Sequence, residues 1–532
     1  MQREYFIGVD VGSGSARAGI YDKDGKRIAF DSRNIQQFHY KELYVEQSSN
    51  DIWSNVCAVV KNVLKYADVK SSQIKSIGFD ATCSLVALDK NDEPISMNID
   101  SSLNEQNIIM WMDHRAGKQV DLINATEHEV LKYVGGEINI EMEIPKILWL
   151  QQFDEARYKK VGRFFDLSDF LVFKATGNPV GSVCTLTCKW NYLAHEKRFS
   201  DDFLAAIGLT SLKDKLPKKV LDVGEMAGYL NAIAAAELGL DEGVVVSSGL
   251  IDAHAGGLAL VGANPDRTLS IISGTSNCHM IVNPSPVFVP GVWGPYYSAM
   301  IPNLWLSEGG QSAAGALVDW TIRQNEHWPI LEEESTKRNI SVYQVLNEWV
   351  LSLEKKEKWP TMHLHVLADH HGNRSPRSNP NARGVTVGLT LEHSKDSLAR
   401  IYLATLQAIA YGTKHIILEM KRAMHNIQQI TLCGGASKNP IWLREYANIT
   451  MSPIYLSEEE DAVTLGAAIN GAVASGFYSN IQVACQHMVR FKEPIMPDSK
   501  TNQFHLAKYD IYNDLYEQMM SAQKRMETFK RK

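Results

Sequence analysis

One pattern occurs in both halves of this 532-residue chain: a buried strand, a turn of small residues, and a second strand that returns beside the first. In the first half, residues 5–11 and 15–21 flank a Gly-Ser-Gly turn. In the second half, residues 268–273 and 278–282 flank a Gly-Thr-Ser-Asn turn. The chain therefore opens as a β-meander, and the repetition predicts two related α/β domains.

The boundary between the two domains is expected in the turn-rich segment 261–266, which contains Gly262, Asn264 and Pro265. We therefore predict an N-terminal domain over residues 1–262 and a C-terminal domain over residues 263–532. Length alone, at roughly 150 residues per domain, favours about three domains. The repeated pattern reduces that expectation to two.

Helical spacing of apolar residues predicts a helix over residues 50–66, with Asn50 or Asp51 as its N-cap. Strands are expected over residues 74–80, 84–88 and 430–433. These elements place strands of both halves next to the small-residue turns.

Two further segments have the pattern of helices. Asn439 and Pro440 resemble an N-cap followed by proline at the first helical position, so a helix should begin there. The charged tail over residues 509–532 keeps its apolar residues at helical spacing, which predicts a docked terminal helix.

The composition is that of a soluble globular protein, with 45% hydrophobic and 22% charged residues. It excludes long disorder, collagen-like structure and a bundle of membrane helices, since no uninterrupted run of about 18 apolar residues occurs. The net charge of −7 offers no basic surplus for nucleic acid. Seven cysteines without a C-x-x-C pair, and an N-terminus without a signal-peptide pattern, predict free thiols and a cytoplasmic location.

The first turn consists of Gly12, Ser13, Gly14 and Ser15. Small residues let backbone N–H groups converge on an anion such as phosphate. Asp10, at the end of the preceding strand, can hold a divalent cation beside it, directly or through water. The alternative is an ordinary hairpin with a solvated aspartate. Arg17 stands where a dinucleotide fingerprint requires Gly or Ala, and the chain has no G-x-x-x-x-G-K-[ST], which excludes a P-loop enzyme.

Two more glycine turns occur in the second half. Gly274 and Thr275 repeat the first turn, so that phosphates would be gripped from both sides of an interdomain cleft. Gly434 and Gly435 form a third turn, before the helix expected at Asn439. This turn can lie against the adenosine or the phosphates of a nucleotide.

Asp252 lies where a strand ends and a helix of small residues begins, and the commoner role of such a residue is a helix cap. His254 is a candidate base, or equally a packed or capping residue. Cys184-x-x-x-Cys188 and a group of histidines do not provide four zinc ligands at the usual spacing, so no metal site is predicted there. The histidines are His363, His365, His370 and His371.

Six segments together resemble the FGGY carbohydrate kinases, in the order found in that family. They are IGVDVGSGSARAGIYD, WMDHRA, GLIDAHAGG, SGTSNCHM, GNRSP and CGGASKNPIW, and they span nearly the whole chain. The resemblance implies two domains of the actin, hexokinase and Hsp70 type, which is a ribonuclease H-like α/β fold. It also implies closure over ATP and a sugar, with phosphorylation of a terminal hydroxyl of glycerol, a pentulose or a related polyol.

Carried over by position, the resemblance implies roles for individual residues. Asp252 matches the family's catalytic base, Asp10 matches the residue that holds Mg²⁺ through water, and the two aspartates together are the expected metal ligands. The implied ATP contacts are Gly12, Ser13, Gly14, Ser15, Arg17, Gly274, Thr275, Gly315, Gly434, Gly435 and Asn439. The implied sugar contacts are Thr82, Cys83, Ser84, Asp113, Lys189, Asp252 and Glu308.

The sugar is indicated by the segment TCSLV over residues 82–86, which resembles that of D-ribulokinases. Glycerol kinases have an Arg-Glu pair and xylulokinases a Met-His pair here, and this chain has neither. D-Ribulose is therefore the expected substrate, with L-ribulose, ribitol, xylulose or another polyol as alternatives. A surface or interdomain ion pair is the alternative role for Lys189 and Glu308.

Two alternatives to an active sugar kinase remain. The first is an actin-like, nucleotide-dependent interaction protein, which would share the phosphate turns but not WMDHRA or GLIDAHAGG. The second is a kinase relative without activity. No nucleic-acid or membrane partner is expected, and a homodimer is compatible with the resemblance because similar enzymes often form one.

Overall fold

The computed structural model describes residues 4–101 and 103–529. The strands of the first half are β1 Tyr5–Val11, β2 Ser15–Asp22, β3 Arg27–Asn34, β4 Phe38–His39, β5 Val45–Gln47, β6 Ile74–Ala81, β7 Leu85–Asp89, β8 Ile108–Ile109, β9 Val161–Asp166, β10 Val180–Ser182, β11 Tyr192–Leu193, β12 Arg198–Phe199, β13 Lys219–Leu221, β14 Met226–Tyr229, β15 Val245–Ser247 and β16 Leu250–Ile251. Those of the second half are β17 Thr268–Ser273, β18 Asn277–Asn283, β19 Trp293–Tyr297, β20 Trp305–Gln311, β21 His365–Leu367, β22 Val385–Val387, β23 Gln429–Gly434 and β24 Ile454–Leu456.

Helices fill the space between and around these strands. The helices are α1 Ser49–Ala67, α2 Gly117–Asn124, α3 Glu143–Phe153, α4 Glu155–Lys160, α5 Leu167–Thr176, α6 Val183–Lys189, α7 Asp201–Ala206, α8 Ala232–Leu238, α9 Asp252–Val261, α10 Gly315–Arg323, α11 Trp328–Arg338, α12 Val342–Lys356, α13 Lys395–Arg422, α14 Pro440–Thr450, α15 Ala462–Ala474, α16 Ile481–Met488 and α17 Asn502–Glu527.

Each half is built on a central sheet, and the two sheets have the same succession of strands. In the first, β3, β2 and β1 form an antiparallel meander that continues through the parallel strands β6 and β15 to the edge strand β14. In the second, β20, β18 and β17 form the meander, and β23 and β24 follow in parallel. The repeated pattern in the sequence is therefore a repeated sheet, the α/β arrangement expected from the family resemblance.

The burial of the innermost strands explains why their sequences are runs of apolar residues. All seven residues of β1 are buried, because the strand has neighbours on both sides and helices on both faces. The predicted strands over 5–11 and 268–273 are confirmed to the residue. The strands predicted from 15, 74, 84, 278 and 430 are confirmed within two residues at each end.

Helix α15 comes from the second half of the chain but packs on the sheet of the first. A Cβ on Gly8 of β1 would lie 1.8 Å from the carbonyl oxygen of Thr464. On the other side of α15, a Cβ on Gly466 would lie 1.9 Å from the carbonyl oxygen of Ala255 in α9. Residues on both sides of the predicted boundary at 262/263 thus share one buried core, and the division into two sequence domains stays a prediction.

Two predicted helix ends differ from the structure. Ser48, and not Asn50 or Asp51, is the N-cap of α1, because its extended backbone lets its hydroxyl accept a hydrogen bond from the backbone N–H of Asp51. The terminal helix α17 begins seven residues before the predicted position 509 and ends at Glu527; residues 530–532 of that prediction lie outside the described residues. The predicted docking of this helix is confirmed by the burial of Tyr512 and Leu515.

Two further findings concern the whole of the described chain. None of its helices is both long enough and apolar enough to cross a membrane. All seven cysteines are free thiols, and six of them are buried.

Helix α6 is short, fully buried, and anchored by one carboxyl group. Asp169 of α5 accepts hydrogen bonds from the backbone N–H of Ser182 at 3.0 Å and from the hydroxyl of Thr185 at 2.6 Å. Lys189, one of the predicted sugar contacts, is the last residue of this helix. Asp169 therefore holds the element that carries Lys189.

Gly466→Ala should destabilise the protein strongly. The new methyl group would meet a backbone oxygen of α9, which cannot move without shifting the whole helix. We expect the Tm to fall by roughly 5 °C or more in a thermal unfolding experiment. Gly243→Ala is the matched control, since nothing lies within 4 Å of its Cβ position; equal Tm values for both variants would contradict the close approach of the two helices.

Asp169→Asn should flatten the pH dependence of stability. Burial raises the pKa of Asp169 from 3.8 to about 7, against the hydrogen bonds from Thr185 and Ser182. Between pH 3.8 and about 7, the folded state keeps a proton on Asp169 that the unfolded state has lost. The free energy of unfolding therefore falls as the pH rises through about 7. Thermal unfolding at pH 5 and pH 8 should show a smaller drop for Asp169→Asn than for the wild type. The exposed Asp241→Asn should keep the wild-type drop, and an unchanged drop in Asp169→Asn would refute this explanation.

Candidate active site

Three aspartates meet at the carboxyl ends of neighbouring strands in the first sheet. Asp10 of β1 and Asp80 of β6 are paired in the parallel register, and both are fully buried. The short strand β16 pairs with the end of β6 and leads directly to Asp252, the first residue of α9. Arg17, on β2, forms an ion pair with Asp10 and a second one with Asp461 at 3.0 Å. The sheet thus gathers acidic groups around one arginine.

These carboxyl groups are poorly compensated within the protein. Burial raises the pKa of Asp10 to about 6 although Arg17 opposes the shift, and burial together with Asp10 raises the pKa of Asp80 well above its usual value. Among the described residues, none besides the two aspartates themselves is hydrogen-bonded to one buried oxygen of Asp10 or to either buried oxygen of Asp80. Burying such groups is costly unless they are paired, so the arrangement is suited to a cation.

Asp80 was not among the predicted site residues. A signal was present, because Ile77-Gly78-Phe79-Asp80 repeats the order Ile-Gly-x-Asp of β1, and the two segments lie in register. Gly78 is required for the same reason as Gly8, the close approach of α15. A Cβ on Gly78 would lie 2.0 Å from the carbonyl oxygen of Ala467 in that helix. The repeat places both aspartates at the same edge of the sheet.

Asp252 starts helix α9, and one of its oxygens accepts a hydrogen bond from the backbone N–H of Ala253 at 2.6 Å. It does not cap the helix, because the N-cap position is Ile251. Burial raises the pKa of Asp252, while Ala253, Arg17, His254 and Lys189 act in the opposite direction. A carboxylate with a raised pKa is suited to accept a proton.

The predicted phosphate turns lie at the ends of the central strands. In the first, the backbone N–H of Gly12 donates to the carbonyl of Ser15 at 3.0 Å, and the indole of Trp111 donates to the hydroxyl of Ser13 at 2.9 Å. In the second, the N–H of Gly274 donates to the carbonyl of Ser276 at 2.8 Å. Both turns are therefore closed by a local hydrogen bond.

The second and third turns lie side by side. Ser273 and Gly434 are paired in the parallel register of β17 and β23, and Gly434 has a φ of 89°, where a Cβ would lie 2.1 Å from the carbonyl oxygen of Ser273. Gly435 follows at the same edge, as the first residue of a 3₁₀ turn. Gly315 begins α10 and donates its N–H to the carbonyl of Gly274 at 3.1 Å. The structure therefore brings the predicted nucleotide glycines of the second half together.

A cavity of about 320 Å³ adjoins the third turn. Its lining includes Ser341, Tyr343, Gln344, Asn347, Lys438 and Pro440. Asn439, the predicted N-cap of α14, accepts from the N–H of Trp442 at 3.2 Å and donates to the hydroxyl of Tyr402, which donates to Asn347. The N-cap prediction is confirmed. The side chain of Asn439 is thus linked by hydrogen bonds to the cavity wall.

The predicted sugar contacts Cys83, Lys189 and Glu308 converge in a cluster that also contains Trp293 and Tyr296. The ammonium of Lys189 lies 4.7 Å from the centre of the Trp293 ring. Burial disfavours the charge of Lys189, but Cys83, Glu308 and Tyr296 nearby hold its pKa above the usual value. The Tyr296 hydroxyl is buried and has no hydrogen-bond partner among residues 4–101 and 103–529. We call these five residues the Lys189 cluster, and both halves of the chain contribute to it.

Arg374, in the GNRSP segment, joins the two halves at the same place. Its guanidinium donates to the carboxylate of Glu141 at 2.9 Å and lies 5.2 Å from the centre of the Trp293 ring. Glu308 lies close enough to raise the pKa of Arg374, although burial lowers it. The GNRSP segment alone gives no sign of this role for its arginine, because the pairing with Glu141 spans 233 positions.

The remaining predicted sugar contacts differ in their surroundings. Thr82 and Ser84 are buried next to Cys83, and their hydroxyls lie 3.4 Å apart. The carboxylate of Asp113 is occupied by Arg115 and by the backbone N–H of Val45. The side chain of Asp113 therefore holds the fold around Arg115, and its contact with the sugar stays a prediction.

No group of three or more histidine, cysteine, aspartate or glutamate side chains in the described part of the chain is arranged as a complete metal site. This matters for the aspartates, because Asp10 and Asp80 would need oxygens from outside the protein to complete a coordination shell. His254 is buried, with Glu308 and Cys184 as its neighbours.

Family models identify this architecture. The N-terminal domain of the FGGY family of carbohydrate kinases matches residues 5–259, and the C-terminal domain of that family matches residues 269–475. Among solved structures, a xylulose kinase of Rhodospirillum rubrum superposes with a TM-score of 0.82 at 20% identity, over 97% of this chain and 99% of that one. A glycerol kinase of Plasmodium falciparum with ADP gives a TM-score of 0.78 at 16% identity, over 97% and 98%. The expected two-domain actin/hexokinase-like fold is confirmed.

Curated relatives are similar over most of their length. An FGGY carbohydrate kinase domain-containing protein of Homo sapiens is 43% identical, over 96% of each chain. A D-ribulokinase of Saccharomyces cerevisiae is 37% identical, over 89% of this chain and 72% of its own. The chain therefore belongs to the FGGY family of carbohydrate kinases, and it is a sugar kinase that uses ATP.

Proposed function

We infer that the protein phosphorylates the terminal hydroxyl of a pentulose, D-ribulose, to give D-ribulose 5-phosphate and ADP. The observation that carries this proposal is the position of Asp252, which interacts electrostatically both with Arg17, beside the first phosphate turn, and with Lys189 in the Lys189 cluster. A base between a phosphate site and a polar cluster is what phosphoryl transfer to a hydroxyl requires. The yeast relative named D-ribulokinase supports the choice of sugar.

In this proposal Asp252 is the general base. Its carboxylate accepts the proton of the terminal hydroxyl while the hydroxyl oxygen forms a bond to the γ-phosphorus of ATP, and the bond from that phosphorus to ADP breaks. Burial raises the pKa of this carboxyl group, which favours acceptance of the proton. A positioned base contributes roughly 10²–10⁴ in rate.

The Lys189 cluster binds the sugar. Lys189 supplies hydrogen-bond donors and Glu308 supplies acceptors, so that together they match the alternating hydroxyls of a polyol. Within the described residues, Lys189 makes no direct ion pair, which leaves its ammonium group available. The burial of both side chains excludes the alternative of a surface ion pair.

The glycine turns hold the phosphates of ATP, as backbone nests for anions. The first turn with Arg17 faces the transferred group, and Gly274 and Thr275 approach from the second half. The cavity beside Lys438 and Asn439 receives the adenosine, since its volume of about 320 Å³ is in the range of small-molecule sites.

The carboxyl groups of Asp10 and Asp80 fit a magnesium ion. Their unpartnered buried oxygens are hard ligands, and Mg²⁺ is usually bound through one or two carboxylates together with substrate phosphates and water. Asp10 and Asp80 are the residues that would hold the ion, with Asp252 at its edge. When bound, it would neutralise phosphate charge.

Asp252→Asn should abolish turnover and leave ATP binding intact. The amide keeps the shape of the side chain but cannot take the proton. We expect kcat to fall by a factor of about 10³ or more, with the Kd for ATP, measured by calorimetry, within about twofold of the wild type. Near-normal turnover in Asp252→Asn would rule out this residue as the base.

The substrate can be identified by comparing turnover with a panel of sugars. ADP release should be measured with D-ribulose, L-ribulose, D-xylulose, ribitol and glycerol, and D-ribulose should give the highest kcat/KM. A preference for another sugar on the panel would replace D-ribulose in this proposal while keeping the kinase. ATP hydrolysis unaffected by any sugar, together with polymerisation, would favour the actin-like alternative.

A further inference from the structure

His254 lies two residues after the proposed base and has no role in the mechanism above. Its ring is 1% exposed, on the first turn of α9. One ring nitrogen, Nε2, lies 3.1 Å from a carboxylate oxygen of Glu308, and the other, Nδ1, lies 3.3 Å from the sulfur of Cys184. The ring thus bridges a residue of the sugar cluster and a buried thiol.

The direction of these hydrogen bonds follows from the partners. The backbone N–H of Ile251 donates to the sulfur of Cys184 at 3.4 Å, so the sulfur is already an acceptor and its S–H is free to donate to Nδ1. Burial raises the pKa of the Cys184 thiol well above its usual value, which keeps that proton on the sulfur. With Nδ1 accepting, the ring proton resides on Nε2 and points at Glu308.

Glu308 needs such a donor. Its backbone is fixed in the middle of β20, between β18 and β19, but its carboxylate is buried, which disfavours the charge. The hydrogen bond from His254, together with Lys189 and Arg374, overcomes this and lowers the pKa of Glu308 to about 2. Of these three groups, His254 is the one in direct hydrogen-bond contact.

We propose that His254 is a positioning residue that orients Glu308 toward the sugar, and that Cys184 fixes the ring tautomer required for this. The proposal rests on the role of Glu308 in the proposed function and does not depend on which sugar is the substrate. It gives a function to a histidine and a cysteine that the sequence patterns left without one. Cys188 is the second thiol near the ring, 3.9 Å from Nδ1.

The first test is a double-mutant cycle with the preferred sugar of the panel. His254→Phe keeps the ring volume but removes the donor, and His254→Gln restores a donor. We expect His254→Phe to raise the sugar KM roughly 10- to 100-fold, the range that loss of a hydrogen bond to a charged group gives. The ATP KM should stay within about twofold, and His254→Gln should recover part of the loss.

The variant Glu308→Gln tests whether His254 acts through Glu308. Glu308→Gln alone should raise the sugar KM. Its amide oxygen still accepts the hydrogen bond from the ring but carries no charge, so adding His254→Phe should raise the sugar KM clearly less than it does in the wild type. Full additivity of the two changes would overturn the positioning role. An unchanged sugar KM in Glu308→Gln would also overturn it, while turnover of the sugar by that variant would leave the proposed kinase activity standing.

The second test addresses the thiol. Cys184→Ala combined with Cys188→Ala removes both S–H donors and should raise the sugar KM, whereas Cys184→Ser keeps an O–H donor and should remain close to the wild type. Cys57→Ala, a buried thiol in α1, is the control for loss of a sulfur. In ¹⁵N spectra of histidine-labelled protein, the His254 signals should report a proton on Nε2 in the wild type and a changed ring in the double alanine variant. A proton on Nδ1 in the wild type would overturn the assignment to Cys184.

Discussion

The parallel pairing of β1 with β6 is the constraint on which the site depends. It places two aspartates side by side at the edge of a buried sheet, where neither is fully compensated by the protein. Burying two carboxyl groups side by side is unfavourable for the isolated fold, and the proposed cation and phosphates would offset that cost. The glycines two positions before each aspartate let α15 press against the same strands. Packing therefore fixes the two aspartates side by side, with Arg17 compensating Asp10 in part.

The second constraint is that both halves of the chain contribute to the Lys189 cluster. Lys189 is delivered by a helix of the first half, and Glu308 by a strand of the second. Arg374 and Glu141 form an ion pair across the same boundary. The geometry of the Lys189 cluster therefore depends on how the two halves pack, and its buried charges interact more strongly than charges at the surface do.

Patterns in the sequence predicted the features that depend on residues close together in the chain. The strands and the glycine turns follow from runs of apolar and small residues. Asp10 became a candidate because it stands at a strand end, whereas the proposed role of Asp252 comes from the family resemblance. Asp80 was missed because it is paired with Asp10 between strands far apart in the chain. The pairing is visible in the sequence only when the two Ile-Gly-x-Asp segments are compared. The same holds for Glu141 and Arg374. Asp113 is the opposite case, because its partner Arg115 is two residues away and the segment Asp-His-Arg already contains the pair.

The position of α15 has a consequence for synthesis. The sheet that begins at Tyr5 is covered on one face by a helix that starts at Ala462, so that face cannot be covered before residues 462–474 have been synthesised. At roughly 5–20 residues per second, the interval between the two segments is on the order of half a minute to a minute and a half. The first sheet therefore reaches its final packing only after most of the second half has been made.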